Sequence, residues 1–175
     1  MKQSSAQVAA VPFHLIADTH GARYATLGDD RVELVEPVGR HGRIVVGVDG
    51  SEASVAALRR GIRMANALNA SVEAITSWRF VTAYASTGEF GYSPEEDARA
   101  ILSGAAKSAF GSKIPQWFTG KTVEGNADQV LIDQSRGAEM LVVGSRGHGG
   151  LAGVLLGSVS AECAEHAHCP VLIIH

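Results

Sequence analysis

The stretch Ile44-Val45-Val46-Gly47-Val48, followed at once by Asp49-Gly50-Ser51, decides the fold of this chain. A continuous apolar run without polar alternation describes a strand covered on both faces, as inside a parallel sheet. Asp49-Gly50-Ser51 ends the run and supplies a helix cap. Val55, Leu58, Ile62 and Ala65 then recur at helical spacing, and Asn69 marks the stop.

Downstream the pattern repeats. Ser71 to Trp78 (SVEAITSW) reads as a second strand, and Thr82 to Tyr92 as a loop. Ser93-Pro94-Glu95-Glu96 combines a cap, a first-turn proline and a Glu three residues after the Ser. It predicts a helix to about Phe110, with Ile101, Leu102, Ala105 and Ala109 facing inward. Lys121 to Glu124 is a short third strand. Asn126 and Gln129 have the spacing of a capping box, opening a helix that stops at Gly137. Met140 to Val143 is the fourth strand, and Val171 to Ile174, just after Pro170, the fifth. Strands alternating with helices call for an α/β fold with a parallel sheet and right-handed crossovers. Such sheets bind ligands outside the carboxyl ends of their strands, where the winding direction switches.

Upstream of Gly39 to Gly42 the sequence is patchy. Arg31 to Val35 (RVELV) alternates, and Gly28-Asp29-Asp30 and Pro37 are turn signals. One or two short strands fit there, and so does an arm; no chemistry is visible in it. Residues 1–41 are therefore set apart as an N-terminal extension of unknown role, and 42–175 as the domain.

At 175 residues the chain has room for one domain with a substantial core. The mix of 46% hydrophobic and 19% charged residues is that of a soluble globular protein. A formal charge of −3 and a pI near 6.1 leave no basic footprint for nucleic acid or an anionic membrane. No apolar run approaches the roughly 20 residues of a membrane span. The N-terminus, with Lys2 as its only basic start and His14 and Asp18 interrupting its apolar stretch, makes a poor signal peptide. Cys163 and Cys169 alone form no disulfide framework, so the expected compartment is the cytoplasm.

The fourth strand empties into Gly144-Ser145-Arg146-Gly147-His148-Gly149-Gly150-Leu151-Ala152-Gly153-Val154-Leu155-Leu156-Gly157-Ser158-Val159-Ser160. Glycines let backbone approach a ligand closely, and a helix opening at Ser158 and Ser160 directs N–H groups and its positive end at phosphate oxygens. A solvated loop ending in a capped helix is the alternative reading; its position directly after a buried strand favours the ligand site.

The spacing Gly144, two residues, Gly147, nine residues, Gly157-Ser158 resembles the ATP-binding signature of universal stress proteins. RIVVGVDGSEAS at 43–54 resembles the family's first strand and acidic turn, 123–147 its course from third strand to phosphate loop, and HCPVLII at 168–174 its terminal strand. The resemblance covers about 133 residues, from Gly42 or Arg43 to His175, and leaves out the first 40. It implies a five-stranded parallel sheet with helices on both faces, Rossmann-like and of the adenine nucleotide alpha hydrolase type. It implies ATP, with Mg2+ as an optional companion, between the ends of the first and fourth strands. Val48 and Asp49 would flank adenine and ribose, with Gly47 just before them, and Ser77 would sit beside the base. Val143 and Gly144 would pack near the ribose, and Gly147, Gly157, Ser158, Val159 and Ser160 would line the phosphates. Spacing alone leaves Asp49 between helix cap and ligand contact; the resemblance favours contact. Arg146 reads either as a phosphate partner or as a solvated loop cation.

Three other patterns carry less. Gly120-Lys121-Thr122 lacks the P-loop's first glycine, because Pro115 stands there. Cys163, His166, His168 and Cys169 crowd together, yet they sit where the family has an ordinary helix end before its last strand. His148 with Ser158 and an acid has no G-x-S-x-G elbow to make a hydrolytic triad, and Val154-Leu155-Leu156 reads as core packing.

The function expected is a binding module whose ATP occupancy is read by a regulatory protein partner in a stress response. The alternative is a slow ATPase or nucleotide-dependent phosphotransferase, for which only Asp49, Arg146 and hydroxyls are candidates. A nucleotide-free member working through protein contacts is disfavoured by the intact glycine spacing. The apolar last strand, placed at the sheet edge by the resemblance, predicts a homodimer in which residues 171–174 pair antiparallel with their two-fold copies; the alternative is that the N-terminal 40 residues, whose alternating stretches could add a strand, cover that edge.

Overall fold

The computed structural model describes residues 40–80, 93–147 and 156–175, and the backbone of strands at 14–17, 23–27 and 30–34. The segments 81–92 and 148–155 lie outside the described residues, and with them the loop read at Thr82 to Tyr92, His148, and Val154-Leu155. Two units divide the chain, residues 1–39 and 40–175.

In the first unit, β1 (His14–Ala17), β2 (Arg23–Leu27) and β3 (Asp30–Leu34) form one antiparallel sheet in that order. Three strands thus stand where the sequence predicts at most two. The alternation at 31–34 finds its partner in β2, with Leu27 opposite Asp30, while Val35 lies outside the described residues.

The second unit runs β4 (Arg43–Gly47), α1 (Glu52–Leu68), β5 (Ser71–Trp78), α2 (Pro94–Phe110), β6 (Phe118–Glu124), α3 (Ala127–Gln134), β7 (Met140–Gly144), α4 (Ser158–His166) and β8 (Val171–Ile174). The five strands pair in parallel in the order β6-β5-β4-β7-β8. From β4 the chain steps one way to β5 and β6, then crosses to β7 and β8 on the other side. The switch of direction lies between β4 and β7.

Alternation within the central strands builds two core layers. Ile44, Val46, Val72, Ala74 and Val142 meet Leu58 and Ala65 of α1 and Leu102 and Ala105 of α2. Val45, Ile75, Leu141 and Val143 meet Val130, Leu131 and Ile132 of α3 and Cys163 of α4. Each large side chain so buried contributes about 1.5–3 kcal/mol. Ile101 and Ala109, predicted inward, are partly buried against the first layer. Among the described residues, no helix is long and apolar enough to cross a membrane.

The caps refine the sequence reading. Ser51, not Asp49, caps α1: its Oγ accepts the Ser54 N–H at 3.2 Å, and Asn69 closes the helix with φ +50°. Ser93 caps α2 as expected, accepting the Glu96 N–H at 3.3 Å. The capping box at Asn126 does not form. Its Oδ1 accepts from Arg79 at 2.8 Å, and the Gln129 N–H donates to Asp128 instead. α3 ends at Gln134, and Gly137, with φ +69°, lies in the turn that follows. β6 begins at Phe118, earlier than predicted, because Phe118 packs 5.0 Å from the Phe110 ring while Thr119 to Lys121 are exposed. The Gly120-Lys121-Thr122 pattern therefore lies within this strand, where Lys121 donates to Gln134 at 3.4 Å.

Candidate functional site

Where β4 and β7 diverge at their carboxyl ends, a cavity of about 450 Å³ opens, within the size range of small-ligand sites. Gly47, Val48 and Asp49 reach it from β4, Ser77 from β5, and Val143, Gly144, Arg146 and Gly147 from β7 and its exit. Gly157, Ser158, Val159 and Ser160 complete it from the start of α4. All twelve positions singled out in the sequence thus border one cavity.

The turn after β4 is held by its own hydroxyls. Asp49 Oδ1 accepts from the Ser51 N–H at 3.0 Å and from Ser51 Oγ at 2.6 Å. The Asp49 N–H donates to Ser54 Oγ at 3.3 Å, and Ser54 Oγ donates to the Ser51 carbonyl at 2.9 Å. Asp49 is therefore held at the cavity wall by the residue that caps α1 and does not cap the helix itself.

The stem of the glycine-rich loop is built around Ser145. Its N–H donates to the Ile174 carbonyl at 2.7 Å, and its carbonyl accepts the Gly157 N–H at 2.7 Å. Ser160, 2% exposed, turns its hydroxyl onto the Ser145 and Gly157 carbonyls at 3.0 and 2.9 Å. Its side chain faces the protein, while Ser158 is exposed. Gly157 is the N-cap of α4, whose first-turn N–H groups have no intrahelical partner. Glycine is required by contact at Gly144, where a Cβ would lie 2.9 Å from the Ala53 backbone; a Cβ on Gly147 would meet the Asp49 carboxylate, which would have to swing aside. At Gly157 a Cβ would meet the Ser145 carbonyl only at 3.4 Å.

Ser54, Thr76, Ile101, Ala127 and Leu131 also line the cavity and were not predicted. Thr76 carried a faint signal, as a hydroxyl next to Ser77, and Ser54 only that of a helix's first turn. Ile101 and Leu131 have the periodicity of ordinary core residues. The result is a pocket with apolar walls, anion-accepting amides at α4, and, among the described lining residues, Arg146 as cation and Asp49 as carboxylate.

The Cys/His cluster is dispersed. Cys163 is fully buried in the second core layer, where burial first, and then Asp128 and Glu162, push its thiol up to about 11. Burial also raises the Cys169 thiol. His166 lies 3.6 Å from Glu162 on the surface.

Known proteins resemble this arrangement. The chain is 35% identical over 155 residues to universal stress protein Rv2005c and 34% over 138 residues to universal stress protein Rv2624c, both of Mycobacterium tuberculosis. These alignments cover 81% and 75% of the chain but 50% and 47% of the relatives, so the chain spans about half the length of the curated relatives it matches. A universal stress protein crystallised in complex with cAMP superimposes with a TM-score of 0.60 at 29% identity, covering 78% of this chain and 99% of that one. The sequence model of the Universal stress protein family matches residues 41–175, and the chain belongs to that family.

Proposed function

We propose that this chain binds an adenine nucleotide, with ATP as the ligand, and acts as a nucleotide-dependent regulator of a stress response rather than as an efficient enzyme. The observation that carries the reading is the convergence of the twelve positions named from the sequence on one cavity at the switch point, with Gly144 leaving no room for a Cβ against the Ala53 backbone. Val48, Ile101, Leu131 and Val143 suit the faces of a base. Asp49 suits ribose hydroxyls, and the first-turn amides of α4 with Arg146 suit the phosphates. Mg2+, where present, would neutralise phosphate charge, with Asp49 as the wall's carboxylate. The relative crystallised with cAMP supports the same ligand class.

Efficient phosphoryl transfer needs a positioned metal, a group orienting the nucleophile and concentrated cationic charge. A single lining cation among the described residues, Arg146, favours a binding module; slow ATP hydrolysis is the second reading. A cytoplasmic homodimer through β8, whose nucleotide state a regulatory protein reads, completes the proposal. Titration calorimetry with ATP, and mass spectrometry of nucleotide carried through purification, test it. Binding is expected, with turnover far below the roughly 1–100 per second of kinases. No ATP binding would refute the proposal, and turnover in that range, lost on mutating Asp49 or Arg146, would make the protein an enzyme.

A further inference from the structure

β4 and β5 pair from Arg43 opposite Ser71 to Gly47 opposite Ile75. Backbone bonds at both ends identify which residues of β5 face β4. The Ser71 N–H donates to the Gly42 carbonyl at 3.1 Å, and the Ile75 carbonyl accepts the Val48 N–H at 2.8 Å. Their neighbours face β6: the Val72 N–H donates to Trp117 at 2.9 Å, and the Trp78 carbonyl accepts the Gly125 N–H at 2.8 Å. By this alternation the Ser77 N–H and C=O face the β4 side, just beyond the last pair.

The next rung of a regular ladder would run from the Ser77 N–H to the Val48 carbonyl. Among the described residues, that carbonyl instead receives the Thr76 hydroxyl, at 2.7 Å. Thr76 is 3% exposed, a buried hydroxyl whose partner is this carbonyl. Val48, Thr76 and Ser77 all border the cavity.

We propose that the Thr76 hydroxyl is a positioning group for this site: by occupying the Val48 carbonyl it stops the β4–β5 ladder one rung short, leaving the Ser77 main chain directed at the edge of the bound base. The edge that suits a main-chain N–H beside a C=O carries an acceptor nitrogen next to an amino donor. This inference rests on the nucleotide-binding reading above. Removing the hydroxyl leaves a buried carbonyl in need of a donor, and the donor in ladder register is the Ser77 N–H. The ladder then closes, and the base loses its partner.

Thr76→Val keeps the side-chain shape without the donor, and Thr76→Ser keeps the donor. Two measurements are made: exchange of the Ser77 amide in ligand-free protein by NMR, and calorimetric affinities for ATP and N6,N6-dimethyl-ATP, which lacks the amino donor. In Thr76→Val the Ser77 amide is expected to exchange about tenfold more slowly, as the new bond forms. ATP affinity is expected to fall about tenfold. The dimethyl analogue, already weaker in the wild type, loses little more, and Thr76→Ser behaves as wild type. Equal losses for both ligands, with faster Ser77 exchange, would mean a merely structural role and overturn the proposal; so would a Thr76→Val protein unchanged in both readouts. If valine is not accommodated, Thr76→Ala gives the same comparison. Failure of the wild type to bind ATP refutes the nucleotide function itself, whereas normal wild-type binding with an unaltered Thr76→Val refutes only the role of Thr76.

Discussion

Gly144→Ala adds one methyl group at the junction of β7 and the glycine-rich loop. The new Cβ would lie 2.9 Å from both the carbonyl carbon and the Cβ of Ala53, and 3.1 Å from its oxygen. Carbon atoms rest comfortably at about 3.5–4.0 Å, so the first turn of α1 must retreat by roughly 0.6–1 Å. Backbone cannot swing aside as a flexible side chain can. That turn also carries Ser51 and Ser54, which hold Asp49 at the cavity wall. Overpacking of this kind costs about 1–3 kcal/mol. Each kcal/mol lowers the melting temperature of a chain this size by about 2–4 °C, so a fall of about 2–12 °C is expected. ATP affinity should drop with it, by on the order of tenfold for each 1.4 kcal/mol taken from the bound state. Gly104→Ala is the control: it lies in α2, where a Cβ meets nothing within 4 Å. Alanine there should stabilise the helix by about 0.5–1 kcal/mol and leave binding alone. Calorimetric melting and ATP titration of both variants decide the matter. A Gly144→Ala protein that melts and binds like the wild type would refute the tight junction between α1 and the loop stem.

Gly147→Glu should abolish measurable ATP binding, a loss of about a hundredfold or more (roughly 3 kcal/mol), with at most a small fall in melting temperature as the Asp49 carboxylate shifts away from the new side chain; equal affinity by calorimetry would remove Gly147 from the site. The Cys163 thiol keeps its proton to about 11 in the fold, against an ordinary value of 9.0, so the unfolded chain ionises first as pH rises. Stability should therefore be intact below pH 9 and fall by about 2–3 kcal/mol towards pH 11 on account of this thiol, a slope that urea titrations in reductant should find reduced by that amount in Cys163→Ala, where only the raised Cys169 thiol remains.

The buried strands were legible because a residue covered on both faces has no choice but to be apolar, as at Ile44 to Val46 and Leu141 to Val143. The twelve cavity positions were legible because most lie within a few residues of strand ends that the sheet must bring side by side. What escaped depends on partners distant in sequence. Asn126 reads as a capping-box residue until Arg79 takes its oxygen. Thr76 reads as a strand residue until the Val48 carbonyl, 28 positions away, takes its hydroxyl. β6 was shortened because an edge strand with Thr119, Gly120 and Lys121 exposed lacks the run that marked its neighbours. Ile101 and Leu131 could not be separated from core, since a ligand's apolar face and a neighbouring helix impose the same residue types.

β8 is the outermost strand of the sheet, and its backbone direction fixes how its role in assembly can be tested. The Leu141 N–H donates to the Pro170 carbonyl at 2.9 Å, and the Ser145 N–H donates to the Ile174 carbonyl at 2.7 Å. Residues 170, 172 and 174 therefore turn their backbone groups to β7, and Val171 and Ile173 turn theirs to the outer edge. Proline at position 172 would remove a donor from the β7–β8 ladder and damage the fold itself. Proline at 173 removes an outward donor and spares the inner rungs. If a second copy pairs with β8 in antiparallel fashion about a two-fold axis, Ile173→Pro should be a folded monomer by light scattering and Leu172→Pro a destabilised protein. The apolar residues of that edge strand, Val171 to Ile174, make a second copy of the same strand a fitting partner for it. Protein lacking residues 1–40 separates the remaining possibility: a monomeric full-length chain that dimerises on this deletion would assign the edge to the N-terminal unit. An Ile173→Pro protein that stays dimeric would remove β8 from the interface.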